Sequence, residues 1–303
     1  MTELTQKHIP VMLAEVLQYL KPQKGETYVD ATFGNGGYSE AILETSDCKV
    51  IALDRDPNVR IRANEMKNRY GDRFEFRKGN FSNFSQLVTE KINGAVFDIG
   101  VSSMQFDEAN RGFSFQHNGS LDMRMSCEGL SAADIVNTYS EKELADLIYN
   151  YGEEKKSRQI AKKIVEIRQR KNIETTEELA EIVRSIVHQK GPTDPATRTF
   201  QALRIAVNDE LNELQRGLEG ATQRLLPQGR LVVVDFHSLE DRIVKNYMKD
   251  NTAKKVRISK YAPELVCDNS IFSAVSKAIT PTAAECRDNP RARSAKLRYA
   301  VRR

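Results

Sequence analysis

Asp30, Gly34, Gly36, Gly37, Asp54, Asn80, Phe81 and Asp98 are the residues of the first hundred whose types and spacing could do chemistry. Each stands at or just after the end of a strand-like stretch. Glycines without a Cβ let a ligand approach the backbone closely. Asp54, twenty residues after Gly34, is spaced to accept hydrogen bonds from a ribose. The Phe81 ring could pack on an adenine, and Asp98 opens the loop Gly100-Val101-Ser102-Ser103. Singly, each has a plainer explanation, because glycines after strands make turns and acids there cap helices. Their recurrence at successive strand ends favours one binding edge.

The spacing also discriminates between ligands. A dinucleotide fingerprint needs a third glycine, and Ser39 stands in its place. Asp30 precedes the turn instead, giving DxxxGxGG. An acid there suits a cationic, phosphate-free ligand better than a pyrophosphate. S-adenosylmethionine has both properties, so a methyltransferase is favoured over a nicotinamide-dependent oxidoreductase.

These residues need a sheet to position them. TYVDAT from Thr27, VIALD from Val50, Arg73 to Arg77 and NGAVFDI from Asn93 read as four strands alternating with helices. That alternation predicts a parallel sheet with helices on both faces, an α/β Rossmann-like fold binding ligands beyond its carboxyl strand ends. From Asp107 the alternation stops. A long loop from Arg111 to Met125 leads into helices opened by Ser131 and Ser140, a basic helix across Lys155 to Lys171, and another from Thr175. One long helix is expected from Thr197 towards Leu218. RLVVVD at Arg230 resumes the strands, with closing strands expected at Lys254 to Ile258 and Lys296 to Val301. The organisation expected is a first part of the sheet domain over 1–106, an all-helical insertion over 107–194, and a second part over 195–303.

Of the 303 residues, 46 are Lys or Arg and 42 Asp or Glu, for a net charge of +4. Lys155 to Lys171 carries a local +7 and Cys286 to Arg303 a local +6, so the other residues sum to −9. Positive charge clustered on an otherwise acidic chain fits a polyanion partner, or solvated helix faces and a basic tail. Apolar runs reach only four residues, far short of the roughly 20 that span a bilayer, so no membrane is expected. With no hydrophobic leader and no arginine before Arg55, the chain reads as cytoplasmic. Four scattered cysteines and four scattered histidines lack zinc-ligand spacing, so no metal is expected.

Blocks spread over the chain closely resemble the RsmH (MraW) family, bacterial 16S rRNA cytosine-N4 methyltransferases. They include HIPVML at His8, DATFGNGGYS at Asp30, LDRD at Leu53, DIGVSSMQFD at Asp98, RGFSFQ at Arg111 and LDMRM at Leu121. YGEE at Tyr151, PATRTFQALRIAVNDEL at Pro195, FHSLEDRIVK at Phe236 and NPRARSAKLR at Asn289 continue the order. The resemblance implies a class I methyltransferase sheet, a helical substrate-recognition insertion and S-adenosylmethionine as donor. It implies donor contacts at Gly36, Gly37, Tyr38, Asp54, Phe81, Asp98 and Gln105. The implied partner is 16S rRNA, within the small ribosomal subunit, and a homodimer is left open. Tyr38 stands where many relatives have His, and so does Asp194.

For such a reaction the acceptor-side candidates are Asp98, Ser102, Ser103, Asp122, Arg124 and His237. His237 could accept a proton or simply cap the helix after it. Asp122 and Arg124 could equally be a structural ion pair. Lys155, Lys156, Lys162, Lys163, Arg198, Arg291 and Arg293 are the candidates for phosphate contact. The alternative function is a non-catalytic rRNA-binding assembly factor.

Overall fold

The computed structural model describes residues 10–100, 108–189, 191, 193–256, 265–267 and 270–303. The chain divides into two compact units, Met1–Gly100 with Asn212–Arg303, and Val101–Leu211. The first unit opens with α1 (Leu13–Leu20), β1 (Thr27–Asp30), α2 (Gly37–Thr45) and β2 (Lys49–Asp54). Next come α3 (Arg60–Tyr70), β3 (Phe74–Lys78), the single turn α4 (Phe84–Leu87) and β4 (Ile92–Asp98). Apolar runs such as VIAL and AVF take strand form because helices cover both faces of a parallel sheet. The polar helix α3 buries only Ala63 and Met66.

The second unit is all-helical among its described residues. Its helices are α5 (Ala132–Thr138), α6 (Glu141–Gly152), α7 (Ser157–Arg168), α8 (Thr176–Ile186) and α9 (Thr197–Asn208). Capping boxes start three of them, pairing Ser131 with Asp134, Ser140 with Glu143 and Thr175 with Glu178. Ile135, Leu144, Ile148, Ile160, Ile164, Leu179, Val183 and Leu203 fill the core. Ile160 and Ile164 are fully buried, as their helical spacing predicts, and Ile167 packs at the margin. The division assigns α9 to this unit, beyond the boundary at 194 read from sequence.

The helix expected from Thr197 is two helices. Asp209 adopts a left-handed conformation, φ 50°, and α10 (Glu210–Arg224) starts anew after it. Aspartate tolerates that conformation better than most residues. Leu214 and Leu218 of α10 then enter the core of the first unit. Beyond α10 run β5 (Leu225–Asp235), α11 (Ser238–Asp250), β6 (Lys254–Val256), β7 (Leu265–Cys267), β8 (Phe272–Val275), α12 (Ala283–Asp288) and β9 (Lys296–Arg302). The seven-stranded sheet has the order β3-β2-β1-β4-β5-β9-β8. β1 to β5 are parallel, while β9 is antiparallel to both β5 and β8. This is the Rossmann-like α/β sheet expected, closed by one reversed strand.

One closing strand is corrected. Lys254–Val256 pairs with Leu265–Cys267 in a separate antiparallel ribbon, and Phe272–Val275 supplies the sheet's edge. The register aligns Asp30 with Ala52 and Val96, and Asp98 with Val234. The carboxyl ends of β1, β2, β4 and β5 therefore share one edge of the sheet. Among the described residues no helix is long and apolar enough to cross a membrane.

Candidate functional site

The glycine turn after β1 is built around Asp30, which is fully buried. Its carboxylate accepts hydrogen bonds from Ser39 Oγ (2.7 Å) and the Thr32 N–H (3.2 Å). Burial nevertheless pushes its pKa up to about 6. Gly34 and Gly36 have φ of 51° and 75°, conformations that favour glycine. Gly37 has a different reason. A Cβ there would lie 2.3 Å from Pro10 Cγ, so its bareness admits the chain's own N-terminal segment rather than a ligand. Tyr38 is buried and donates its hydroxyl to the Val11 carbonyl, fastening that segment to the turn.

Asp54 closes β2 and accepts hydrogen bonds from the N–H of Gly34 (2.7 Å) and of Asp56 (2.8 Å). Each carboxylate oxygen keeps a second lone pair for a ligand hydroxyl. Beyond β3, Asn80 accepts from the Ser82 N–H at 2.9 Å and so begins the turn carrying Phe81. The Phe81 ring stands edge-on to Phe97, with centroids 5.7 Å apart.

At the end of β4, the Asp98 N–H donates to Thr32 Oγ1 at 2.7 Å. Asp98 Oδ1 is buried and has no hydrogen-bond partner among the described residues. Burial, with the charges of Asp30 and Glu240, pushes the Asp98 carboxyl up to about 8. An acid held in this way stabilises a cation brought against it. Ser102, Ser103 and Gln105 lie outside the described residues.

His237 is the N-cap of α11. Its Nδ1 accepts from the Glu240 N–H at 3.4 Å, and its Nε2 lies 3.1 Å from Glu240 Oε1. Glu240 Oε2 accepts from the N–H of Phe236 (2.9 Å) and of His237 (3.2 Å). Both imidazole nitrogens thus face one residue of their own turn. The helix-capping explanation fits this geometry.

Asp235, at the end of β5, escapes the sequence reading. It is fully buried, and neither carboxylate oxygen has a hydrogen-bond partner among the described residues. Burial, then the charges of Asp241 and Glu240, push its pKa up to about 8. Lys296 and Arg298 are nearby cations, but Asp241 binds them at 3.0 and 2.7 Å. The available signal was the repeated pattern of an apolar strand ending in aspartate, shared by Asp30, Asp54, Asp98 and Asp235.

In the helical unit, Asp122 and Arg124 pair with each other, through Nε at 2.9 Å and Nη2 at 2.7 Å. Burial raises the Asp122 pKa, but the Arg124 bonds and charge outweigh it and hold the carboxyl below its ordinary value. Asn208 grips the same loop, donating to the Met123 carbonyl (2.7 Å) and accepting from the Met125 N–H (2.9 Å). Asp194 binds Arg184 at 2.7 Å. Several basic candidates are also committed. Lys156 Nζ donates to the Ile186 carbonyl (2.6 Å), Arg198 to the Glu153 carbonyl (3.2 Å), and Lys163 pairs with Glu166 at 3.5 Å. Lys155, Arg158 and Lys162 are exposed and have no such partner among the described residues. Arg291 and Arg293 are exposed on the turn Pro290–Ser294 of the first unit.

Comparison with known proteins finds relatives over nearly the whole chain. A sequence family described as the MraW methylase family matches residues 5–303. A "Ribosomal RNA small subunit methyltransferase H" of Rickettsia bellii (strain RML369-C) is 55% identical over 302 residues, covering 98% of this chain and 99% of its own. The protein of the same name from Rickettsia africae (strain ESF-5) is 56% identical, covering 98% of each chain. Among solved structures, an rRNA methylase from Streptococcus thermophilus aligns over 96% of this chain and 93% of its own. Its 13% identity and TM-score of 0.43 carry no residue roles across.

Proposed function

This chain belongs to the MraW methylase family, and on that premise we propose that it methylates small-subunit ribosomal RNA, at N4 of a cytosine in the decoding region. The donor in this reading is S-adenosylmethionine, which supplies an electrophilic methyl on a sulfonium. The observation that carries the reading is the buried Oδ1 of Asp98, which has no hydrogen-bond partner among the described residues and feels the charge of Asp30, a pair of acids suited to a cation without phosphate. Asp98 and Asp30 hold the cationic end of the donor. Asp54 accepts from the ribose hydroxyls, and Phe81 packs on the adenine. The glycine turn at Gly34 and Gly36 supplies the backbone wall, Gly37 and Tyr38 hold the N-terminal segment against it, and Gln105 is a further donor contact. No metal enters this chemistry.

Cytosine N4 is a weak nucleophile because its lone pair is delocalised into the ring. Holding that nitrogen in line with the methyl supplies several kcal/mol of the barrier, on the order of 7 or more in well-aligned systems. The amine becomes acidic as it is methylated, so a group is needed chiefly to receive its proton. Asp98 suits that role: the donor's sulfonium holds it ionised, and once the methyl has left that charge is gone and the carboxylate can take the proton. Ser102 and Ser103 follow it in sequence and serve as acceptor-side hydrogen-bonding groups. His237 serves as the cap of α11, and Asp122 with Arg124 shapes the loop of the helical unit.

Taking the cytosine out of its stack costs a few kcal/mol. Phosphate contacts offset that cost, and exposed cations without internal partners are the ones able to make them. Lys155, Arg158 and Lys162 fit this description in the helical unit and Arg293 in the first, while Arg291 is exposed but also has an interaction within the protein. Ribosomal RNA as substrate assigns the work to the bacterial cytoplasm, with the small subunit as partner.

The test is transfer of labelled methyl to small subunits isolated from cells lacking the gene, followed by nucleoside analysis. Label in N4-methylcytidine, lost with Asp98→Ala, is expected. Binding of the rRNA without transfer, to subunits or naked RNA, would replace this reading with that of an assembly factor.

A further inference from the structure

Glu213 lies in the first turn of α10, with its side chain 12% exposed. Both of its carboxylate oxygens accept from Arg55 Nη1, at 2.9 and 3.1 Å. Oε1 also accepts from Asn80 Nδ2. Arg55 is the residue after Asp54 at the end of β2, and Asn80 is the residue before Phe81 beyond β3. One buried carboxylate therefore ties together the two strand ends that carry the ribose acceptor and the aromatic ring.

One helical turn further along α10 is Gly217. A Cβ at that position would come within 2.6 Å of Phe81 Cδ2 and 3.2 Å of Phe97 Cε1. The helix thus presses bare backbone against the Phe81 ring, while Glu213 holds the start of its turn through Asn80. The Asn80 side chain works in both directions. Its Nδ2 reaches Glu213, and its Oδ1 accepts from the Ser82 N–H.

We propose that Glu213 is a positioning residue for the nucleoside half of the methyl donor. It acts through Arg55 on Asp54 and through Asn80 on Phe81, and does not touch the donor itself. The inference rests on the donor reading given above. It assigns the recognition of adenosine to a helix on which sequence spacing marks no ligand contact.

The readout is equilibrium binding of S-adenosylhomocysteine and of 5′-methylthioadenosine, which lacks the amino-acid portion, measured on the full-length protein. Glu213→Gln is expected to weaken both by the same factor, about tenfold or more. The donor KM should rise in parallel, with kcat at saturating donor and the RNA KM unchanged. Asn80→Ala, a milder change, should reproduce part of the effect and keeps the test open if Glu213→Gln does not fold. A lowered melting temperature with unchanged affinity for both ligands would leave Glu213 as a helix-docking residue and overturn the inference. Failure of the wild-type protein to bind S-adenosylhomocysteine would instead remove the donor reading beneath it.

Discussion

The carboxylate of Glu240 takes the backbone N–H of His237 at 3.2 Å through one oxygen and lies 3.1 Å from the imidazole Nε2 with the other. The Glu240 N–H meets Nδ1, so the residue that looks most like a catalytic base caps its own helix start, while its buried Nε2 makes no hydrogen bond among the described residues. Asparagine can perform the same capping. His237→Asn is expected to retain methyl transfer with an unchanged pH profile, whereas His237→Ala costs about 1 kcal/mol of stability. A hundredfold loss of kcat in a well-folded His237→Asn protein would restore the base.

Asp98 carries a sharper dependence on pH. With its pKa near 8, the ligand-free protein holds this carboxyl protonated at neutral pH. A cationic ligand favours the ionised form, so binding expels a proton. Affinity for S-adenosylmethionine, whose sulfonium is cationic at every pH, should rise between pH 6.5 and 8, by up to about tenfold per pH unit. Calorimetry in two buffers of different ionisation enthalpy would count the proton released. Asp98→Asn should abolish both the release and the pH dependence, and a wild-type affinity flat over this range would refute the assignment.

Asp235 offers a stability prediction of its own. Folding raises its pKa from the ordinary 3.8 to about 8. The stability it contributes is therefore complete below about pH 4 and is lost as pH rises through 8. Asp235→Asn removes that titration. The variant's melting temperature should gain on the wild type from pH 4 to pH 8, by about 5 °C or more at the upper end. Parallel melting curves across the range would show that the carboxyl is not buried in the protonated form.

The basic helix divides into anchors and free cations. Lys162→Ala should lower the slope of log Kd against log salt for rRNA binding by about one, the signature of one phosphate contact. Lys156→Ala, which loses the bond to the Ile186 carbonyl, should lower the melting temperature and leave that slope alone. Equal slope changes in the two variants would mean that internal hydrogen bonding does not sort these lysines.

The strand ends at Asp30, Asp54 and Asp98 were legible because an apolar run stopped by an acid has few other meanings in an alternating α/β pattern. Capping boxes at Ser131, Ser140 and Thr175 were equally readable, since their hydrogen bonds are local in sequence. The break at Asp209 was not, because NDEL continues a helical pattern and only the backbone conformation interrupts it. β8 was missed because the short FSAV segment becomes a strand only by pairing with β9. Partner choice lay further out of reach. Nothing local to Asp235 indicates that Asp241 captures Lys296 and Arg298, and nothing near Gly37 indicates that Pro10 fills the space it leaves.

The segment that clasps the glycine turn is itself held by a residue far along the chain. Pro10 rests on Gly37, Val11 receives the Tyr38 hydroxyl, and the Met12 N–H donates to Glu285, 273 positions away. Contacts of such wide sequence separation form late, because long loops must close first. During translation, then, the Met12 bond cannot form until Glu285 has emerged, whereas the Pro10 and Val11 contacts to the turn are local and can form early. The glycine turn can thus be covered early by its own N-terminal neighbours, yet the covering segment is pinned from its far side only after Glu285 has joined it.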